Sequence, residues 1–504
     1  MTHTNPYTRC QELQTPGVGA NNMKYKNINK KSGMIIVQTM VFAAIVVIMI
    51  GALSSWAATT VTSGRIAFNR EQAFQSAEAG IDYYRWHLAH APTDYQDGAG
   101  TPGPYIHPVK DRNGDTVGQF SLDITPPLLG STKVKIKSTG SSSLDSSYLR
   151  KIETEVAKPS IAKYSVAGNN AMRFGAGTEI FGPVHVNGGI RFDGLAHNIV
   201  TSGATTYTDV DSDACTGSNS YGVHTCLSPQ DPTSPTALPL RPDVFEAGRL
   251  TSQPTINFSG FTTDLAILKS NAETNGFYLD AAGSGFVGYH IVLKTDDTFD
   301  LYKINSWASV SGNNCSSSPS GTSSWSVGTQ TLQGNYSFPL NGIIFIEDHI
   351  VVDGQIDGAR LTITAADLPV PSDTTKYKNI IINNDILYTS YAGADSIGLI
   401  GQAGVLVGMI SEDDLKIDGA LIAQNNKVGR LYYGGVSCPY RNRNIISLYG
   451  MIASYARYGF AFTDSTGYAI RSITYDANLL YAPPPNFPLT SDQYVILSWQ
   501  EVKN

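Results

Sequence analysis

Apolar and polar positions change rhythm twice along the chain. From Met34 to Leu53 the sequence reads MIIVQTMVFAAIVVIMIGAL, twenty residues without a formal charge. At 1.5 Å per residue this run predicts a helix of about 30 Å, the depth of a hydrocarbon core. Beyond it Phe74, Ala77, Ile81, Tyr84 and Leu88 recur at 3-4-3-4 spacing, which places them on one helical face. Glu71, Gln75, Glu78, Asp82 and Arg85 fall mostly off that face. No proline lies between Pro16 and Pro92, so the pattern predicts one helix from Met34 to about His90, about 85 Å long.

After a breaker-rich linker at 90–104 the rhythm becomes that of strands. KDRNGDTVGQFSLDI predicts a hairpin around Asn113-Gly114, and 133–140 and 149–158 alternate as half-exposed strands. From about Ala162, apolar runs of four to six residues recur with Gly, Asn and Asp between them and no helical pattern intervening. Motifs such as Ile-x-Gly-x-Leu put an inward apolar residue on either side of a glycine bend, as the rungs of a parallel β-helix require. The expected fold is therefore mainly β with a long N-terminal α-helix, its exported part a parallel β-helix-like stack of short strands, with a β-sandwich as the alternative. The expected divisions are a leader at 1–33, the helix at 34–91, a linker and small β subdomain at 92–160, and a β-helix-like head at 161–504. Residues 201–256 and 309–336, polar and of low complexity, read as loop insertions in the head. The final strand, after Pro483-Pro484-Pro485, is expected to cap the open end of the coil.

Charge gives this plan a direction. The 504 residues carry a formal charge of -7, but Arg9, Lys24, Lys26, Lys30 and Lys31 precede the apolar run and no lysine or arginine follows it until Arg65. That asymmetry keeps the N-terminus cytoplasmic and exports the bulk of the chain, making it a single-pass membrane protein held through Met34–Leu53. Weak small-residue cleavage sites near Ala52 and Ala57 leave an ordinary secretory signal as the alternative. The head is net acidic and lacks a basic, aromatic-rich patch, so nucleic acid is not an expected partner. Of the five cysteines, Cys10 belongs to the leader. Cys215 and Cys226 are close enough to close a local loop, leaving Cys315 and Cys438 as a long-range pair; buried free thiols are the alternative.

Lys30-Lys31-Ser32-Gly33-Met34-Ile35-Ile36-Val37-Gln38 resembles a type IV prepilin signal, and EQAFQSAEAGIDYY (71–84) is similar to the helix of PilX-type minor pilins. The resemblance covers about residues 28–90. It implies cutting by a prepilin peptidase between Gly33 and Met34, methylation of the new N-terminus, and contact with other pilin subunits and their assembly machinery. Major pilins carry glutamate at the fifth mature position, where this chain has Gln38. An amide supplies no charge to offset a neighbour's terminal ammonium, and an unpaired charge in lipid is costly, so Gln38 points to a minor or tip-located subunit. The bland alternative is a tolerated polar residue near the membrane surface.

No residue set compels a reaction. His87 and His90 share a helical face without further ligands, and Asp111, Asn113 and Asp115 start a calcium-loop pattern that is not completed, so no metal is expected. Glu347, Asp348, Asp353, Asp357 and Glu412-Asp413-Asp414 are the acids a glycan-cleaving β-helix enzyme would use, but neighbours on one strand point to opposite faces. Tyr432, Tyr433, Tyr449, Tyr455, Tyr458, Phe460, Tyr468 and Tyr475 crowd the C-terminal layers as a contact surface or as core ladders. The expectation is a non-enzymatic minor pilin or pseudopilin-like surface subunit whose head binds other subunits, a surface polymer or another cell. A membrane-tethered β-helix enzyme acting on polysaccharide, and an anchored structural protein outside any filament, are the alternatives.

Overall fold

Twenty apolar residues followed by an amphipathic stretch free of proline do form one helix, α1, spanning Ser32–His90. The computed structural model describes residues 32–211, 220–258 and 261–503. The protein is mainly β, with this single long N-terminal helix. It divides within α1 into two units, residues 1–69 and 70–504. In the first, every residue from Met34 to Arg65 is exposed within the chain. Among the described residues α1 is the one helix long and apolar enough to cross a membrane.

In the second unit, the remainder of α1 buries Ala73, Ala77, Ile81, Tyr84 and Leu88 against a five-stranded antiparallel sheet. Its first four strands are β1 (Tyr105–Lys110), β2 (Thr116–Thr125), β3 (Val134–Ser142) and β4 (Leu149–Ala157). The fifth is Val495–Val502, paired antiparallel with β4. Phe120, Leu122, Val134, Ile136, Ile152 and Val156 supply the sheet's side of the core, each fully or almost fully buried as the period-2 pattern requires. Small residues let helix and sheet approach at backbone distance. A β-carbon built on Gly140 would lie 2.1 Å from the Ala73 carbonyl oxygen, and one on Gly80 would meet Ser138 and Phe120. The Ser76-Ala77…Gly80 spacing in the sequence is thus a close-packing face.

The C-terminal strand was expected to cap the head and instead completes this sheet. The rest of the head, from Ser160 to about Leu489, is accordingly inserted between β4 and its sheet partner. Both ends of the insertion meet at that junction: Ser160 Oγ donates to the Leu479 carbonyl at 2.7 Å, and Ile161 N–H donates to Pro488 at 3.0 Å.

The insertion is a parallel β-helix of three ladders, not a sandwich. One ladder stacks Phe277, Ile344, Ile363, Leu399, Leu421, Ile452, Val166, Val184 and Val200 in register. Another stacks Gly354, Ile386, Ile417, Leu448, Ile473, Ile180 and Ala196. The order reveals a seam. The chain begins in the middle of the coil at Val166, winds to one end at Arg249–Leu250, crosses to the other end at Phe277–Leu279, and winds back. The last rung then docks on the first, with Ile452 paired to Val166 and Ile473 to Ile180.

Two expectations about the decoration of the coil fail. No helix was expected within the head, yet Phe261–Asn275 forms α2. Its Leu265, Leu268 and Ala272 cover Ile343 and Phe345, whose strand is apolar on both faces and needs an outer layer as well as a core. Residues 309–336 were read as a loop, but Val327–Ser337 is a strand that pairs antiparallel with Thr298–Trp307, and with Trp307 and Trp325 it covers Val351 and Ile381. A largely polar, mostly exposed strand carries no period-2 apolar signal to read. Residues 201–256 contribute short rung strands as well as connections, among them Val200–Ser202, Val223–His224 and Arg249–Leu250. The triple proline lies along the outside of the coil, where Arg360 donates to the Pro483 carbonyl at 2.8 Å.

Candidate functional site

The residues singled out in the sequence do not converge on one place. Gly33 and Met34 lie in the first turn of α1, and Gln38 is exposed upon it. The leader residues before Ser32, and with them Cys10, lie outside the described residues, as does Cys215. Cys315 and Cys438 are joined by a disulfide. It closes a small cluster with Met409 and Tyr433, beside the pairing of Ser316–Ser318 with Tyr432–Gly434. His87 and His90 separate, His87 bonding Asp94 at 3.0 Å and His90 the Trp86 carbonyl at 2.8 Å. Asp111 Oδ1 accepts the N–H groups of Asn113 and Asp115, a local turn.

Most of the acids are held in separate settings, but Glu412 stands beside Asp385 and near Asp353, and burial together with those charges raises its pKa. Glu347 pairs with Lys269, and Asp348 with Lys378 at 3.4 Å and the Ala282 N–H at 2.9 Å. Asp413 meets Arg443 at 2.8 Å, Asp414 meets Asn444 at 2.6 Å, and Asp353 meets His290 at 3.1 Å. Asp209, His224 and Cys226 come together as potential metal ligands, but Cys226 is disulfide-bonded and Asp209 already accepts from Arg191 at 3.0 Å. A disulfide sulfur has no thiolate to offer, so the set does not fit a metal. Of the tyrosine group, Tyr433, Tyr458, Phe460 and Tyr468 are buried, while Tyr455 stays 37% exposed.

A cleft at the seam has room for a ligand. Two of the ladders continue across it through backbone hydrogen bonds, from Ile452 N–H to Ser165 at 2.8 Å and from Arg471 N–H to Gly177 at 3.0 Å. The third does not. Met172–Phe174, Ile190–Phe192 and Val223–His224 form a separate three-stranded sheet, while Val428–Arg430 belongs to the main one. Residues 455–466 bridge this gap with no strand of their own, making isolated bridges from Gly459 to Gly429 and from Ala461 to Gly467. The break leaves a cavity of about 640 Å³ between the two halves of the coil.

Its walls are unusually cationic for an acidic protein: Arg173, Lys427, Arg457 and Arg471 face one carboxylate, Asp211. Arg457 grips Asp211 through two bonds of 2.7 Å and Arg173 adds one of 2.9 Å; the Arg457 guanidinium holds this carboxyl down to about 2. Arg471 is spent on the carbonyls of Tyr468 and Ala469, at 2.8 and 2.7 Å. Lys427 is different. Its ammonium donates to the Arg430 carbonyl at 3.1 Å and lies 5.9 Å from the centre of the Phe462 ring, with no carboxylate paired to it among the described residues, and burial pushes its pKa down. Four separate segments supply these cations, so no spacing in the sequence announces them; the nearby aromatic residues were the sole pointer to this region.

No family model matches the chain, and no curated protein does. Among solved structures, the competence-associated pilin ComZ from Thermus thermophilus matches with 13% sequence identity and a TM-score of 0.27, covering 86% of this chain and 98% of its own. Agreement that loose assigns neither fold nor role.

Proposed function

We propose that this chain is a minor pilin-like surface subunit, anchored by one N-terminal helix and presenting a β-helix head outside the cell. A prepilin peptidase cuts between Gly33 and Met34, the new terminus is methylated, and α1 inserts among other pilin subunits. The observation that carries this reading is the division of labour along α1. Its apolar run is exposed from end to end within the chain, while one face of residues 73–88 is buried by the protein's own sheet. Apolar surface on that scale needs lipid or neighbouring helices to cover it. Gln38, exposed and uncharged in place of glutamate, favours a terminal or low-abundance position over the shaft.

The head acts by binding in this reading, since the acids at Glu347, Asp348, Asp413 and Asp414 are each held by a cation, an N–H or an amide. N-terminal sequencing of protein extracted from membranes tests the proposal. A methylated Met34 is the expected first residue; retention of residues 1–33 refutes it. Release of new reducing ends from a polysaccharide by the purified protein would overturn the non-enzymatic part.

A further inference from the structure

The seam cleft is where the coil departs from its own regularity. Along the ladders, stacked apolar side chains form one continuous core, whereas here the third ladder stops and about 640 Å³ stays open. A gap in a repeating core forfeits packing, so a fold that keeps one bears a cost that a ligand can offset. The charge of the lining narrows the chemistry of that ligand. Among the described residues the lining holds four cations and one carboxylate, with Asp193 also 4.0 Å from Arg173, in a chain whose overall charge is -7. Asp211 answers Arg173 and Arg457, and carbonyls answer Arg471, so the uncompensated donor is Lys427, with one carbonyl and one ring face for company.

We propose that the seam cleft binds a carboxylated sugar, with Lys427 meeting the carboxylate and the half-buried Phe462 ring facing the sugar's C–H surface. The volume suits one or two sugar rings. Thr463 and Ser465 line the same cleft at exposed positions and bring hydroxyl groups to which a sugar's own hydroxyls can bond, whereas Thr466 is held by Asp464 at 2.7 Å. A polynucleotide is disfavoured because it demands a basic stripe many phosphates long, and here the positive charge is confined to one recess of an acidic protein. The lowered pKa of Lys427 is consistent with an ammonium awaiting a counter-charge. The inference stands on the cleft's geometry alone, so it can fail while filament membership holds, and the reverse.

The test is isothermal titration of the detergent-solubilised full chain with digalacturonate, with cellobiose and inorganic phosphate as comparison ligands. Saturable binding of digalacturonate, absent for cellobiose and at least ten-fold weaker for phosphate, is the expected result. Lys427→Met should weaken binding ten-fold or more while leaving the melting temperature equal or higher, because it removes a buried charge without a counter-ion. Lys427→Arg should retain most of the affinity. Thr463→Trp, at an exposed lining position, should block the cleft without touching the core, and keeps the test decisive should the methionine variant fail to fold. No saturable binding, equal affinity for cellobiose or phosphate, or unchanged affinity in both Lys427→Met and Thr463→Trp overturns the assignment.

Discussion

Replacing Gly140 with alanine adds one methyl group at the tightest point between α1 and its sheet. The new β-carbon would lie 2.1 Å from the Ala73 carbonyl oxygen and 2.3 Å from the Ala77 nitrogen, both backbone atoms that cannot swing aside. Restoring ordinary contact requires helix and sheet to part by about 1 Å, a gap that forfeits roughly half of the dispersion energy of the facing atoms. Ile81, Tyr84 and Leu88 are at most 3% exposed and share that interface, so the loss extends along two turns. The cost falls at the upper end for overpacked interiors, about 3 kcal/mol. Hydrogen exchange of the amides between residues 73 and 88 reads this directly, because opening of the helix from the sheet is a sub-global event. At about 1.4 kcal/mol per decade, exchange should quicken by roughly two orders of magnitude. Gly64→Ala is the control: nothing lies within 4 Å of the added atom, and a helical glycine is being replaced by the best helix former. Unchanged exchange in Gly140→Ala would refute the claim that these glycines set the helix–sheet distance.

Further expectations concern stability. Cys315 and Cys438 are 123 residues apart, so removing both with C315A/C438A releases chain entropy of up to about 5 kcal/mol and should lower the melting temperature under oxidising conditions; an unmoved midpoint would contradict this. His349 is held well below the usual histidine range by burial, with the Lys378 charge adding to it, and its Nδ1 accepts the Asn379 N–H at 3.0 Å. Its neutral form is therefore the folded one: stability is full above the unfolded value near 6.5 and falls by up to about 1.4 kcal/mol per pH unit below it. His349→Gln should flatten that acid limb between pH 7 and 5, and an unaltered pH profile of denaturation would count against the assignment. Deleting residues 493–504 moves the sheet's edge from the bulged strand Val495–Val502 to the regular β4, so light scattering should report self-association, whereas a monodisperse product would argue that β4 is protected otherwise.

The sequence made the periodic parts of the molecule legible. An uncharged twenty-residue run, a 3-4-3-4 face and repeated glycine-bounded strands each encode a local geometry, and α1, β1–β4 and the rungs of the coil followed them. What it withheld depends on contacts between distant segments. Val495–Val502 has the same alternation whether it caps a coil or completes a sheet, and only its hydrogen bonds to Leu149–Ala157 decide between them. The α2 helix sits in a stretch whose apolar positions are few, and its stability comes from covering Ile343 and Phe345. The seam was likewise invisible, because Ile452 and Val166 resemble any other pair of rung residues. The cleft exists only as a consequence of that seam, and its cations carry no motif.

The five-stranded sheet that receives α1 has its own timetable. Thr154 hydroxyl and the Ser498 carbonyl, partners at 2.6 Å, are separated by 344 residues, and every rung of the coil is synthesised between them. Until the chain has grown past that point, β4 is an open border and α1 lies on four strands. Closure of this sheet thereby waits on synthesis of the whole coil, so that a chain cut short within it leaves β4 unpaired beside α1.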